Sequence, residues 1–265
     1  MIALLMMVIP LIAILVIALI PNKQGDRIVA ALAALLCLIL SLSVSGSSLS
    51  MPWLPGVNSY IALDGSGAGG LLSLLVSIIM FTLIIHAGNQ INYRTGSFLS
   101  LLLLMQTGLY GIFLAKDLIF FYACWEITLI PSLAMLAIWG REGRKEAMQR
   151  YLVYAMAGSL LMLVAIIAVK PISGALSYRF EDLLAATVNL PLNTQIWLFI
   201  GLAIAFAVKV PLFPFHSWLV HFTNKITPLA WLMWPAHFIK SVLGAFLLGV
   251  CPYFPKPPVP SPLGS

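Results

Sequence analysis

The sequence predicts an all-α integral membrane protein with seven or eight transmembrane helices. Three observations carry that prediction. Of 265 residues, 62% are hydrophobic and only 8% charged, against about a quarter charged in an ordinary soluble domain. The apolar residues fall into runs of about 20, the length a helix needs to cross the hydrocarbon core. The lysines and arginines sit mainly in the segments between those runs, where they act as topology signals.

The runs lie near 1–20, 28–46, 69–88, 97–115, 117–139, 149–169 and 195–213, with a further candidate near 229–250. The first, "MIALLMMVIPLIAILVIALIPNK", carries no positive charge before Lys23. A signal peptide begins with positive charge, has a shorter apolar stretch and ends at a small-residue cleavage site, so this run is read as a retained first span. Every span is expected to be helical, because hydrocarbon offers no water to an open backbone. The segments 49–68 and 171–194, rich in Gly, Pro, Ser and Asn, are expected to be the two long loops. Residues 255–265, "PKPPVPSPLGS", form a proline-rich tail that cannot be helical. Cys37, Cys124 and Cys251 have no ligand spacing and read as small packing residues, with no disulfide framework or metal site.

The net charge of +6 does not gather into the basic patch that nucleic-acid binding requires. Odd-to-even connections hold Lys23, Arg27, Arg94, Arg141, Arg144, Lys145, Arg150 and Lys225, and the other side holds Lys116, Lys170 and Arg179. Eight against three, with four of the eight in "GREGRKEAMQR", places the first set in the cytoplasm and the N-terminus outside.

Few ionisable groups remain at membrane depth: Glu126, His86, Lys209, His216 and Lys240. A charge at a helix centre costs about 2.5–3.5 kcal/mol on insertion scales, so it needs a partner or a wet cavity. Glu126 interrupts "FYACWEITLIP" close to mid-depth. Lys209 lies in "AFAVKVPLFPFHSWL", where Pro211 and Pro214 break the helix and are expected to free backbone carbonyls beside the lysine. The bland reading of Glu126 and Lys209 is a buried structural ion pair; the functional one is a proton relay in which a lysine and a nearby carboxylate exchange charge with water. His86 reads as interfacial, and the bland reading of His216 is a hydrogen bond to the opened backbone. Trp125, Trp139, Trp218 and Trp231 read as packing or interfacial residues. No catalytic, cofactor-binding or metal-binding set is read: there is no CxxC, no paired-histidine haem arrangement, and "DGSGAGG" at 64–70, with its GxG spacing, follows a loop on the outer side and leads straight into a span.

Three blocks keep their order and spacing over 116–219: "KDLIFFYACWEITLIPSLAMLAIWG", "YLVYAMAGSLLMLVAIIAV" and "AFAVKVPLFPFHSWL". With "YIALDG" at 60–65 they resemble the antiporter-like membrane subunits of respiratory complex I, in particular the chain 4 or subunit M type of NAD(P)H–quinone oxidoreductases. The resemblance implies the first part of a fourteen-helix antiporter-like fold with a proline-broken seventh helix. It implies that Glu126 is the essential glutamate of the fifth helix and Lys209 its partner on the broken seventh. It further implies a proton-translocating subunit that couples electron transfer to proton transport and has no redox centre of its own. NAD(P)H or another electron donor and quinone would be handled by partner membrane subunits, in a bacterial plasma membrane or thylakoid. Lipid is expected around the chain and nucleic acid is not. The alternatives are a subunit of a multisubunit cation/proton antiporter or membrane-bound hydrogenase, or a non-functional truncated product.

The chain departs from the family pattern after Leu219. It divides into 1–115 (helices 1–4), 116–219 (the translocation core, helices 5–7) and 220–265, a tail unlike the family. Read from the third base of each codon, Met233–Trp234–Pro235 force "VA" and their surroundings permit "DVAGALHKIGAWG", while "CPYFPKPP" permits "PLFPEAS"; both strings resemble the family. A frameshift near residue 220 that ends the chain early is therefore expected. Lys240 falls where the family's next lysine stands and His216 lies in the broken-helix block, so both join the candidate proton-translocation set.

Overall fold

The computed structural model describes residues 1–20 and 22–225. Among them, seven helical spans are long and apolar enough to cross a membrane. In chain order these are α1 (Ile2–Leu19), α2 (Lys23–Leu42), α3 (Gly67–Gln90), α4 (Thr95–Leu114), the pair α5 (Leu118–Ile127) and α6 (Leu129–Trp139) forming one span, α7 (Arg144–Ser173) and α9 (Leu192–Lys209). A hairpin of β1 (Ser48–Leu54) and β2 (Ser59–Asp64) follows α2, short α8 (Phe180–Thr187) precedes α9, and α10 (Ser217–Lys225) follows it. The expected eighth span near 229–250 and the proline tail lie outside the described residues, as does all but the start of the segment assigned to a frameshift.

Helix α4 is the hub, touching α1, α2, α3, α5 and α6, and every residue from Met105 to Leu114 is buried. Lipid tails are as apolar as the helices, so association depends on close packing, which small residues permit. A Cβ on Gly111 would lie 2.2 Å from Cys124 Sγ, and one on Gly108 would lie 2.6 Å from Thr128 Cγ2. These glycines seat α5 directly on α4. Buried polar groups pair within the bundle: Tyr110 Oη lies 2.7 Å from Ser77 Oγ and accepts from Gln106 Nε2 at 2.7 Å. The outward faces carry Leu15, Leu32, Val153 and Val164, all exposed and suited to lipid.

The 49–68 segment departs from the expected loop. It pairs as an antiparallel hairpin with Leu49 opposite Leu63 and Met51 opposite Ile61, which satisfies backbone groups that an irregular segment would leave to water. Its turn ends on Asn58 at φ 57 and ψ 51, a left-handed conformation that asparagine tolerates. The 171–194 segment also differs, since α7 runs on to Ser173 and α8 occupies its middle.

Asp117 fastens the hairpin to the core. Fully buried, it caps α5 by accepting from Ile119 N (3.0 Å) and Phe120 N (3.1 Å), and it holds β2 by accepting from Ser59 Oγ (2.8 Å) and Tyr60 N (3.0 Å). Next to it, Lys116 Nζ lies 3.3 Å from Asp64 Oδ2. Burial works against the Asp64 charge, but the Ser66 hydrogen bonds and the Lys116 ammonium outweigh it and hold this carboxyl below the usual range. A depressed carboxyl contributes its stability at neutral pH and loses it only as pH falls through the folded-state value.

The two charge sets counted from the loops gather at opposite ends of the bundle. Lys116 and Lys170 lie at the hairpin end, where Lys170 Nζ donates to Val57 O at 2.7 Å. At the other end Lys23 Nζ donates to Asn92 Oδ1 at 2.9 Å and Arg141 N donates to Lys225 O at 2.6 Å. We predict that the end bearing the 140–150 loop is cytoplasmic. Single cysteines placed in that loop should resist an impermeant thiol reagent added outside, and labelling from outside would reverse the assignment. For Asp117→Ala we predict faster proteolysis in the hairpin and a loss of about 1–3 kcal/mol, because buried donors lose their acceptor; wild-type resistance would show that the hairpin is held otherwise.

Candidate functional site

Glu126 owes its position to a helix that stops. The 117–139 run reads as one continuous helix, but α5 ends at Ile127 and α6 starts at Leu129. Pro131 is the cause: it has no N–H for the carbonyl of Ile127, four residues back, and its ring crowds that carbonyl. Nearby hydroxyls take up acceptors at the break, Thr128 Oγ1 donating to Trp125 O (2.7 Å) and Ser132 Oγ to Thr128 O (2.9 Å). Glu126, the penultimate residue of α5, therefore stands partly buried near the middle of the 22-residue span Leu118–Trp139. The signal was present in "LIP", five residues beyond the glutamate.

Lys209 is the last residue of α9 and is 6% exposed. The prolines break the helix as expected, but three carbonyls of its last turn are occupied. Val210 N donates to Phe206 O at 2.7 Å and Leu212 N to Ala207 O at 2.8 Å. Trp218 Nε1, reaching back across the break from α10, donates to Val208 O at 3.0 Å. The sequence does not announce this closure, since the tryptophan reads there as a packing or interfacial residue. Among the described residues His216 makes no hydrogen bond from its ring to the opened backbone. It is exposed, and its ring faces Phe213 at 5.8 Å.

The structure brings Glu126 and Lys209 to one site without an ion-pair contact. Among the described residues no carboxylate oxygen lies within 4.0 Å of Lys209 Nζ. The ammonium instead lies over the Trp125 ring, 5.0 Å from its centroid. Tyr122, one turn before the glutamate, and Tyr151 of α7 are also within reach of its charge. Behind them α7 and α9 approach closely at small residues: a Cβ on Gly158 would lie 3.1 Å from Val208 Cβ, and one on Gly201 2.9 Å from Ala165 Cβ. Ring contacts of Tyr151 with Trp218 (4.7 Å) and Phe222 (5.1 Å) then seat α10 on α7.

The remaining candidates lie elsewhere. His86 is exposed near the end of α3, and Lys240 is outside the described residues. Among the described residues no three His, Cys, Asp or Glu side chains converge as metal donors. The glycines of "DGSGAGG" serve packing: a Cβ on Gly69 would lie 2.6 Å from Phe113 O and one on Gly70 2.2 Å from Gly65 O.

Residues 115–251 match the family described as NADH:quinone oxidoreductase/Mrp antiporter, transmembrane. The chain belongs to this family. It is 38% identical over 204 residues to NADH-quinone oxidoreductase subunit 13 of Thermus thermophilus, covering 75% of this chain and 42% of that protein. It is 37% identical over 173 residues to an NAD(P)H-quinone oxidoreductase chain 4 of Picosynechococcus, covering 64% of this chain and 30% of that protein. Its fold is similar to a chain of respiratory complex I from Thermus thermophilus with bound NADH, with a TM-score of 0.82 and 34% identity over 94% of this chain and 52% of that one. The chain thus spans less than half the length of these two sequence relatives. Its seven described spans and broken α9 are the first part of an antiporter-like fold, and the protein is a multi-pass membrane protein.

In this family member the α9–α10 break is closed by the Trp218 indole, and that closure is testable. Trp218→Phe keeps a ring against Tyr151 but leaves Val208 O without its donor. A loss of about 1–3 kcal/mol is expected, read as a lower thermal midpoint in detergent; an unchanged midpoint would show that another donor satisfies the carbonyl.

Proposed function

We propose that the chain acts as a proton-translocating membrane subunit of an NAD(P)H–quinone oxidoreductase in a bacterial plasma membrane or thylakoid. Glu126 and Lys209 are its charge-coupling pair. The observation that carries this reading is a buried ammonium at a helix break, seated over Trp125 beside a mid-membrane carboxylate and, among the described residues, not in ion-pair contact with it. A purely structural pair would gain most by closing to contact, since uncompensated buried charge is costly. At an effective dielectric of about 20, two unit charges about 4 Å apart attract by about 4 kcal/mol, and doubling the distance removes about half of that. About 2 kcal/mol is more than tenfold in a protonation equilibrium. A movement of a few ångströms between α5 and α9 therefore changes how readily the site exchanges a proton.

Electron transfer on partner subunits, which would handle the electron donor and quinone, is felt here as such a change in spacing or field. His216, exposed at the break, and Lys240 are assigned to the onward path on the family resemblance. The relatives named as quinone oxidoreductases favour this reading over a cation/proton antiporter or hydrogenase subunit.

The test is Glu126→Gln in the assembled complex that contains this chain, reconstituted in vesicles. The expected result is near-normal assembly with most proton pumping lost. Reduced assembly would identify a structural pair, since removing one partner of a buried pair typically costs about 3–5 kcal/mol. Normal pumping in a correctly assembled variant would overturn the proposal.

A further inference from the structure

The Lys209 ammonium has a second partner. Trp125 precedes Glu126, and successive residues of a helix point about 100° apart, so the two side chains present different faces of α5. Lys209 reaches from α9 towards both. Its Nζ lies over the indole, 5.0 Å from the centroid, within the distance of about 6 Å at which an aromatic face attracts a cation. The carboxylate stands farther off than ion-pair contact. In the last turn of α9 the carbonyls Phe206 O, Ala207 O and Val208 O already have donors.

The indole is built in place. Trp125 is 2% exposed. Phe206 of α9 meets it edge-on at 5.1 Å with an interplanar angle of 84°, and Phe121 packs at 5.8 Å. The Phe206 contact places the ring against the same last turn that carries Lys209. A residue that only filled space would not need an aromatic face turned to the cation.

Resting on the assignment of Glu126 and Lys209 as the charge-coupling pair, we infer that Trp125 is a positioning residue for that reaction: its π face holds the ammonium when it is released from Glu126. The lysine then alternates between two partners on adjacent residues of one helix, a carboxylate and an indole. The indole keeps the separated state populated, where a charge in an apolar site would otherwise return to the carboxylate.

The experiment replaces Trp125 in the assembled complex by tryptophans carrying one, two and three ring fluorines. They keep the shape of the indole and progressively weaken the negative potential of its face. Protons pumped per electron pair should decline stepwise along the series, and Trp125→Leu should lower pumping by about 2- to 30-fold, the equivalent of a cation–π attraction of about 0.5–2 kcal/mol. Trp125→Tyr, which retains a face, should fall between. A flat response across the fluorinated series, in complexes where Glu126→Gln abolishes pumping, would overturn this inference alone. Normal pumping by Glu126→Gln would instead overturn the functional assignment on which it rests. If Trp125→Leu does not assemble, the fluorinated series decides, since it leaves packing unchanged.

Discussion

Hydrocarbon tolerates no unpaired backbone group, and the arrangement of the candidate site depends on how that demand is met at two helix breaks. Each break is caused by proline, and each is closed by groups other than the lysine. At Thr128 the closing groups are hydroxyls donating to Trp125 O and Thr128 O. Past Lys209 they are two backbone amides and the Trp218 indole. The Lys209 ammonium takes no part in these bonds. Because the break is closed without it, the cation is left to the aromatic face and to the field of Glu126.

The same economy of contact explains how the site is reached by three helices. Glycines at 108 and 111 let α5 lie against α4, and Gly158 and Gly201 bring α7 and α9 together. Asp117 fixes the other end of α5, with four hydrogen bonds that join the helix start to the hairpin. Relative movement of the two charges is thereby confined to the region of the breaks.

Much of this was legible in the residues, and the parts that were not have physical causes. Span number and placement followed from summed hydrophobicity over about 20 residues, a property that needs no tertiary information. The proline break after Lys209 was legible because a missing N–H has the same consequence in any fold. The Thr128 break rested on the same chemistry in "LIP" but was hidden by an apolar run that continues across it. The hairpin was missed because its turn residues, Pro55, Gly56 and Asn58, also mark ordinary loops, and pairing is a non-local property. Asp117 stood one residue before an apolar run, the place of an N-cap, yet its bonds to Ser59 and Tyr60 span more than fifty residues of chain. For the same reason the Trp218 bond to Val208 could not be read from a tryptophan in "FHSWL".

The two breaks also set the electrostatics unequally. Both ionisable residues stand at the C-terminal end of a helix, Glu126 in the last turn of α5 and Lys209 at the end of α9. A helix C-terminus carries a partial negative charge that favours a nearby cation and disfavours a nearby anion, each by about 0.3–1 kcal/mol at exposed sites and up to about 2 kcal/mol when partly buried. The α9 terminus thus supports the charged lysine even when the carboxylate is not in contact, and the indole face adds to that support. The α5 terminus differs, because α6 begins at Leu129 in the same span and its N-terminus offsets that partial charge.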